Sequence, residues 1–131
     1  MKPMYMFEDV FVPVEFLFPK AYLEFMQSGF PDLTPWWFVA EEPAKAKMFY
    51  QTINKCKRSK KLLIPFAKID DSTGDIACFD GEDTTGNPKI FFSVGSEDSM
   101  SCVDWKKRYF LEDINAWLII AQKDAKRWRE N

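Results

Sequence analysis

The sequence predicts an α+β protein, in which helices pack on one face of an antiparallel or mixed sheet that forms a meander. Three short segments rich in strand-forming residues follow one another in the middle of the chain, joined by turns of Asp, Gly, Ser, Thr and Asn. Segments with apolar residues at helical spacing precede and follow them. Short turns favour antiparallel pairing, and flanking helices then cover the sheet.

The elements before the meander are predicted in the order helix, strand, helix. An apolar arm at about residues 1–17 precedes them and is either a strand or an extended segment packed on the core. Pro19 begins the first helix, since its missing N–H is not needed in a first turn, and Gly29 stops it. Residues 36–39 form a short strand candidate, and Pro43 suits the first turn of the second helix.

Residues 62–69, 75–80 and 89–94 are the three strand candidates of the meander. Pro65 lies in the first of them and indicates an edge strand or the start of a strand, because Pro cannot donate to a ladder. Residues 95–108 are predicted to be irregular.

The last helix has the clearest pattern. Acidic residues lie in its first turn and basic residues in its last, as the helix dipole favours. Its apolar stripe consists of Ile114, Trp117, Leu118, Ala121, Ala125 and Trp128. No linker rich in Gly or Ser divides the chain, so residues 1–131 are predicted to be a single domain.

Composition narrows the possible chemistry. The 131 residues include no His, which removes Ser-His-Asp and Cys-His catalysis and His-containing zinc sites. Carboxylate, Lys or Tyr chemistry remains, but no glycosidase-like motif occurs, so neither an enzyme nor a cofactor is expected. Three Cys without CxxC spacing indicate a reduced, cytoplasmic chain. No apolar run is long enough to predict a membrane span.

The net charge of −2 conceals strongly charged blocks. Residues 43–69 carry eight basic and no acidic side chains, whereas residues 70–104 carry nine acidic and one basic. The overall balance argues against a general nucleic-acid binder. This separation of charge is compatible with an acidic face that binds a basic partner.

Three motifs follow one another between about residues 18 and 121. They are Phe18-Pro19…Tyr22-Leu23…Phe25-Met26…Gly29 in the first helix, Ile64-Pro65-Phe66-Ala67, Gly74-Asp75 and Cys78-Phe79-Asp80 in the meander, and Phe110…Ile114…Trp117-Leu118 at the last helix. In order and spacing they resemble SUKH domains, the superfamily that includes the Smi/Knr regulators and many bacterial immunity proteins. The chain departs from the pattern after the first helix, where Gly29-Phe30-Pro31 stands in place of a frequent Gly-Gly.

The resemblance implies a SUKH-like fold and a binding function. Bacterial members bind a cognate toxin, often a nuclease or deaminase, and silence it. Fungal members act as regulatory partners in cell-envelope work. The family brings no catalytic residues.

The acidic candidates for partner binding lie on two turns, one at each end of the strand 75–80. They are Asp70, Asp71, Asp75, Asp80, Glu82 and Asp83. They either face a basic toxin and speed its association, or they are solvated turn residues that bond their own backbone. A calcium loop starting at Asp80 is disfavoured, because Phe91 occupies the position of the bidentate Glu.

Trp36, Trp37 and Trp105 are the aromatic candidates for partner binding. Neighbours on a strand point to opposite faces, so at least one of Trp36 and Trp37 is expected in the core and the other is a candidate anchor. The basic run at 55–61 is a solvated helix end, a site for phosphate or nucleic acid, or a group that pairs with the acidic stretch of the same chain. Cys56, within that run, is not expected to be catalytic without a His, and Cys78 is expected to be a small core residue.

The sequence therefore predicts a non-enzymatic protein-binding domain, an immunity protein that neutralises a cognate toxin. Its partner is a protein, with no nucleic acid, membrane or metal involved, and its oligomeric state stays open. A Smi/Knr-like regulatory adaptor is the main alternative, and a small carboxylate-based enzyme is a remote one.

Overall fold

A computed structural model describes residue 7 and residues 12–54, 62–71, 74–93 and 110–130. Its helices are α1 (Lys20–Ser28), α2 (Pro43–Ile53) and α3 (Ile114–Glu130), and a 3₁₀ turn spans Val39–Glu41. Its strands are β1 (Trp36–Phe38), β2 (Leu63–Ile69), β3 (Ile76–Asp80), β4 (Ile90–Ser93) and β5 (Phe110–Leu111). The irregular region predicted at 95–108 lies outside the described residues.

The five strands form one sheet in the order β1-β2-β3-β4-β5, and each strand is antiparallel to its neighbours. The sheet is therefore a complete meander, and the predicted α+β class is confirmed. No helix among the described residues is long and apolar enough to cross a membrane.

Helices α1 and α3 pack on one face of the sheet through aromatic side chains. The ring of Tyr22 in α1 lies 5.3 Å from that of Phe79 on β3, edge to face. The indole of Trp117 in α3 lies 4.9 Å from the ring of Phe66 on β2. Phe66 and Phe79 stack on each other at 4.2 Å, so these four rings form the centre of the main core.

Helix α2 contacts both buried clusters, whereas the prediction placed helices on one face of the sheet. Its Ala46 and Tyr50 belong to the main core. Its Phe49 and Ile53 pack against a second buried cluster of Leu63, Ile76, Cys78 and Phe91. The physical reason is that all five residues of β3 are buried, so the strand is apolar on both sides and needs cover on both. Cys78 is fully buried in this cluster, as expected.

Pro65 lies inside β2, which is an internal strand of the sheet. β1 pairs only with residues 67–69 of β2, so at Pro65 this side of the strand has no strand neighbour among the described residues. A bulge between Pro65 and Ala67 lies at the point in β2 where pairing with β1 begins. Pro65 therefore lies in a part of β2 that has a neighbouring strand on one side only, although β2 as a whole is an internal strand of the sheet.

The described part of the N-terminal arm packs on the core without forming a strand. Phe7 is buried, and its ring lies 5.7 Å from that of Tyr50 in α2. Phe16 is also buried, 6.3 Å from Phe79. Residues 14 and 15 form a turn, closed by a hydrogen bond from the Phe16 N–H to the Pro13 carbonyl at 3.0 Å, so this part of the arm is neither a strand nor fully extended.

Candidate functional site

A cavity of about 570 Å³ opens beside β1, at the edge of the sheet. We call it the β1 groove. Its aromatic lining consists of Trp36, Trp37, Phe38 and Trp128. Its charged lining consists of Glu41, Glu42, Lys45 and Asp70, and Thr34 and Pro35 complete it. The groove thus combines large rings with three carboxylates and one ammonium.

Trp37 is the half-buried tryptophan of the pair on β1. Its Nε1–H donates a hydrogen bond to Oδ1 of Asp70 at 3.1 Å, which fixes the orientation of the indole. The Lys45 Nζ lies 5.5 Å from the centroid of the same ring, and the ring of Phe49 packs at 6.3 Å. Trp37 is therefore held rigidly while part of its surface faces the groove.

Asp70 directly follows β2, at the turn that leads to β3. Its backbone N–H donates to the carbonyl of Pro35 at 2.8 Å, which ties this turn to the residues that lead into β1. Its Oδ1 also lies 3.7 Å from the Nζ of Lys68. The side chain is nevertheless 68% exposed, so its charge is available to a partner.

Trp36 is the buried member of the pair, only 6% exposed. Its Nε1–H donates to Oδ2 of Asp124 in α3 at 2.9 Å, and its ring meets Trp117 edge to face at 5.4 Å. These contacts hold the end of α3 next to β1. Trp128 follows Asp124 by about one helical turn and is 48% exposed at the groove. The expected division into one core and one more accessible tryptophan is confirmed.

The six predicted acidic residues are not brought together. Asp70, Asp71 and Asp75 lie at one end of β3, and Asp80, Glu82 and Asp83 lie at the other. Of the six, only Asp70 lines the β1 groove. The sequence had placed the two turns at opposite ends of this strand, and the topology agrees.

Several of these acids bond the backbone of their own turns. Asp71 Oδ1 accepts the N–H of Gly74 at 3.2 Å, and Asp80 Oδ1 accepts the N–H of Glu82 at 3.0 Å. Asp80 is also buried. Such bonds are typical of Asp in tight turns, so the structural role accounts for these two carboxylates.

Asp83 accepts three hydrogen bonds from the residues that follow it in its turn. It accepts the backbone N–H of Thr85 at 3.1 Å, the Thr85 hydroxyl at 2.6 Å and the backbone N–H of Lys89 at 3.3 Å. Partial burial acts to raise the pKa of its carboxyl, but these hydrogen bonds and the Lys89 charge outweigh it and lower the pKa. Within the described ranges, no group of three or more His, Cys, Asp or Glu side chains could hold a metal ion.

The groove contains residues that the sequence did not single out for binding. Glu41 and Glu42 lie just before α2, where acidic residues also suit the start of a helix, and Trp128 lies on the apolar stripe of α3. Trp128 reaches Trp37 only because the end of α3 packs beside β1, so no local signal marks it. The basic run 55–61, with Cys56, lies outside the described residues.

Comparisons of the chain with protein-family models, curated proteins and solved structures find no match. The resemblance to SUKH domains therefore stays a prediction that depends on the motifs alone.

Proposed function

We propose that this chain is a non-enzymatic protein-binding domain and acts as an immunity protein. It binds a cognate toxin of nuclease or deaminase type in the cytoplasm and thereby silences it. The β1 groove is the contact surface, with Trp37 as the aromatic anchor and Asp70 beside it.

The observation that carries the proposal is the pairing of Trp37 with Asp70 at the wall of an open groove, at 3.1 Å. A tryptophan held in one orientation loses little side-chain freedom when a partner packs on it, and such residues dominate binding energy at interfaces. Two of the residues predicted from the sequence thus meet at one site.

The charge of the groove favours a basic partner. Glu41, Glu42 and Asp70 outnumber Lys45 in the lining of the groove, and all three carboxylates are exposed. Lys68 lies outside the lining and pairs with Asp70 at 3.7 Å, which leaves Glu41 and Glu42 as the source of the excess negative charge. Enzymes that act on nucleic acids carry basic surfaces that neutralise phosphates. An acidic groove complements such a surface and speeds association by electrostatic steering.

Co-expression with the toxin encoded by the neighbouring gene tests the proposal. The wild-type chain is expected to co-purify with the toxin and to restore growth. Asp70→Arg reverses a charge in the groove and is expected to reduce protection strongly. Glu24→Arg makes the same change at an exposed site on α1, outside the groove, and is the matched control.

The proposal fails if the chain neither binds nor protects against any neighbouring toxin. Recovery of a synthase or kinase in a pull-down, with no protection against a toxin, would instead support the regulatory adaptor. Equal protection by Asp70→Arg and wild type would remove the β1 groove from the interface.

A further inference from the structure

We infer that the β1 groove is a receptor for an arginine side chain, and that Lys45 occupies part of this receptor in the free protein. The inference rests on the proposed function in one respect, that the arginine belongs to the toxin. The preference of the groove for a guanidinium group depends only on the residues that line it.

The charges of the groove select a cation. Three exposed carboxylates and one ammonium line it, so the lining carries an excess of negative charge at neutral pH. Glu41 and Glu42 are adjacent, in the short segment between β1 and α2, and Asp70 is fixed through its backbone to Pro35. Acidic groups contributed by separate segments can approach one cationic head group from more than one side.

The aromatic lining selects the same class of group. The faces of Trp rings attract cations through the ring quadrupole, and Trp is the strongest of the aromatic side chains in this respect. Trp37 is held by Asp70, and Trp128 presents nearly half of its surface. A groove that joins indole surfaces to carboxylates suits a flat cation that stacks on the rings and donates charge-assisted hydrogen bonds to the carboxylates.

The position of the Lys45 ammonium indicates where a cation from a partner would bind in the groove. Its ammonium sits 5.5 Å from the centroid of Trp37, although Lys45 belongs to the first turn of α2, where the helix dipole disfavours positive charge. The ring and the acids of the groove compensate for this. Lys45 is exposed and has a flexible stem, so its head group can leave when a partner cation enters.

Guanidinium fits the groove better than a second ammonium. It is planar, stacks on aromatic faces and donates two parallel bonds to one carboxylate, whereas ammonium is a strongly hydrated point charge. An arginine from the partner can therefore displace Lys45 from Trp37 and also bind a groove carboxylate. Lys45 acts as an internal competitor that weakens binding of any other cation.

The test uses small probes and the full chain. N-acetyl-arginine amide is titrated and compared with N-acetyl-lysine amide and with N-acetyl-citrulline amide, a neutral analogue of similar shape. Binding is followed by the NMR signals of the indole N–H groups of Trp37 and Trp128, assigned with single Trp→Phe variants. The arginine probe is expected to shift both signals, the lysine probe less, and the citrulline probe neither.

Variants separate the contribution of the groove carboxylates from competition by Lys45. Lys45→Gln is expected to tighten binding of the arginine probe roughly 2- to 5-fold, the factor that corresponds to one exposed cation–π contact. The double variant Glu41→Gln/Glu42→Gln is expected to weaken it by about 5-fold. Glu24→Gln removes one exposed charge outside the groove and is expected to change the affinity by less than about 2-fold.

The outcomes distinguish this inference from the proposed function. If the citrulline probe shifts the signals as much as arginine, or if Lys45→Gln does not tighten binding, the inference is overturned. If the arginine probe binds as expected but no toxin is neutralised, the proposed immunity function is wrong, whereas the inference that the groove binds arginine is supported. If a toxin is neutralised equally by wild type, Lys45→Gln and the double variant, the function stands and the toxin does not use this receptor.

Discussion

The side chain of Asn54 pairs with the backbone of Leu63 as a neighbouring strand would. Its Oδ1 accepts the N–H of Leu63 at 2.9 Å, and its Nδ2 donates to the Leu63 carbonyl at 2.8 Å. The same Nδ2 donates to the carbonyl of Tyr50, at the end of α2. Since β1 pairs only with residues 67–69, Asn54 satisfies backbone groups of β2 that β1 does not reach, and it joins α2 to the sheet.

Asn54→Ala is therefore expected to destabilise the protein by about 2 kcal/mol, because it leaves part-buried backbone groups of Leu63 without their partner. Urea unfolding followed by circular dichroism measures the change. The midpoint should fall while the slope of the free energy against urea stays constant.

Asn87→Ala is the matched control for Asn54→Ala. Among the described residues, the exposed Asn87 side chain donates to the carboxylate of Asp113 at 3.1 Å, so its loss is expected to cost less than about 0.5 kcal/mol. Similar destabilisation by both variants would mean that the Asn54–Leu63 pairing contributes nothing specific.

Local patterns predicted the parts of the fold that depend on near neighbours in the sequence. The stripe from Ile114 to Ala125 and its end charges predicted α3, because both signals repeat within a few turns. The Asp- and Gly-rich turns around β3 predicted the meander, because short connections leave no other pairing. The contact of Phe49 and Ile53 with the second cluster was not predicted, since it depends on which side chains of β2, β3 and β4 come together in the sheet.

The β1 groove could be predicted only in part. Alternation along a strand predicted that Trp36 and Trp37 would differ in burial, and Asp70 was identified from turn chemistry. The distance in sequence between Trp37 and Trp128 hides their common location, because it arises from packing of the first strand against the end of the last helix. Glu41 and Glu42 fit the start of a helix equally well with or without a binding role.

Tyr22→Phe is expected to stabilise the protein by about 1 kcal/mol at neutral pH. The Tyr22 hydroxyl is buried and has no hydrogen-bond partner among the described residues, so its removal relieves the cost of desolvating a polar group. Thermal unfolding of the variant measures the change. An unchanged or lower melting temperature of Tyr22→Phe would contradict the explanation.

The same tyrosine predicts a loss of stability in alkali. Burial raises the pKa of Tyr22 in the folded chain, so the unfolded chain ionises first as the pH rises. The free energy of unfolding should therefore fall above the ordinary tyrosine pKa of about 10. Urea unfolding at pH 8 and pH 10.5 should show a shallower fall for Tyr22→Phe than for wild type, and parallel curves would refute this assignment.

Asp83 predicts a loss of stability in acid. Its folded pKa is lowered, so its contribution is present above the ordinary aspartate pKa of about 4 and is lost as the pH falls through the folded value. Asp83→Asn should cost about 0.5 kcal/mol at pH 7, a small value because solvent still screens a partly exposed group, and less at pH 3. Glu82→Gln, at the exposed neighbour, serves as control, and a cost for Asp83→Asn that does not shrink at pH 3 would contradict the assignment.

The bond between Trp36 and Asp124 connects the core to the groove and can be measured by a double-mutant cycle. Asp124→Ala leaves the buried indole N–H without its acceptor and is expected to cost about 2 kcal/mol. Trp36→Phe removes the donor, and the coupling between the two changes should be about 1 kcal/mol.

Lys123→Ala, at the exposed position before Asp124 on α3, controls for changes in helix propensity.

A coupling energy near zero between Trp36 and Asp124 would mean that packing against Trp117 is enough to hold Trp36. In that case the position of Trp128 at the groove would not depend on Asp124, because nothing but ring contacts would fix the end of α3 to β1. Measurable coupling means that the charged bond sets this position, which makes Asp124 a residue that supports the groove without lining it.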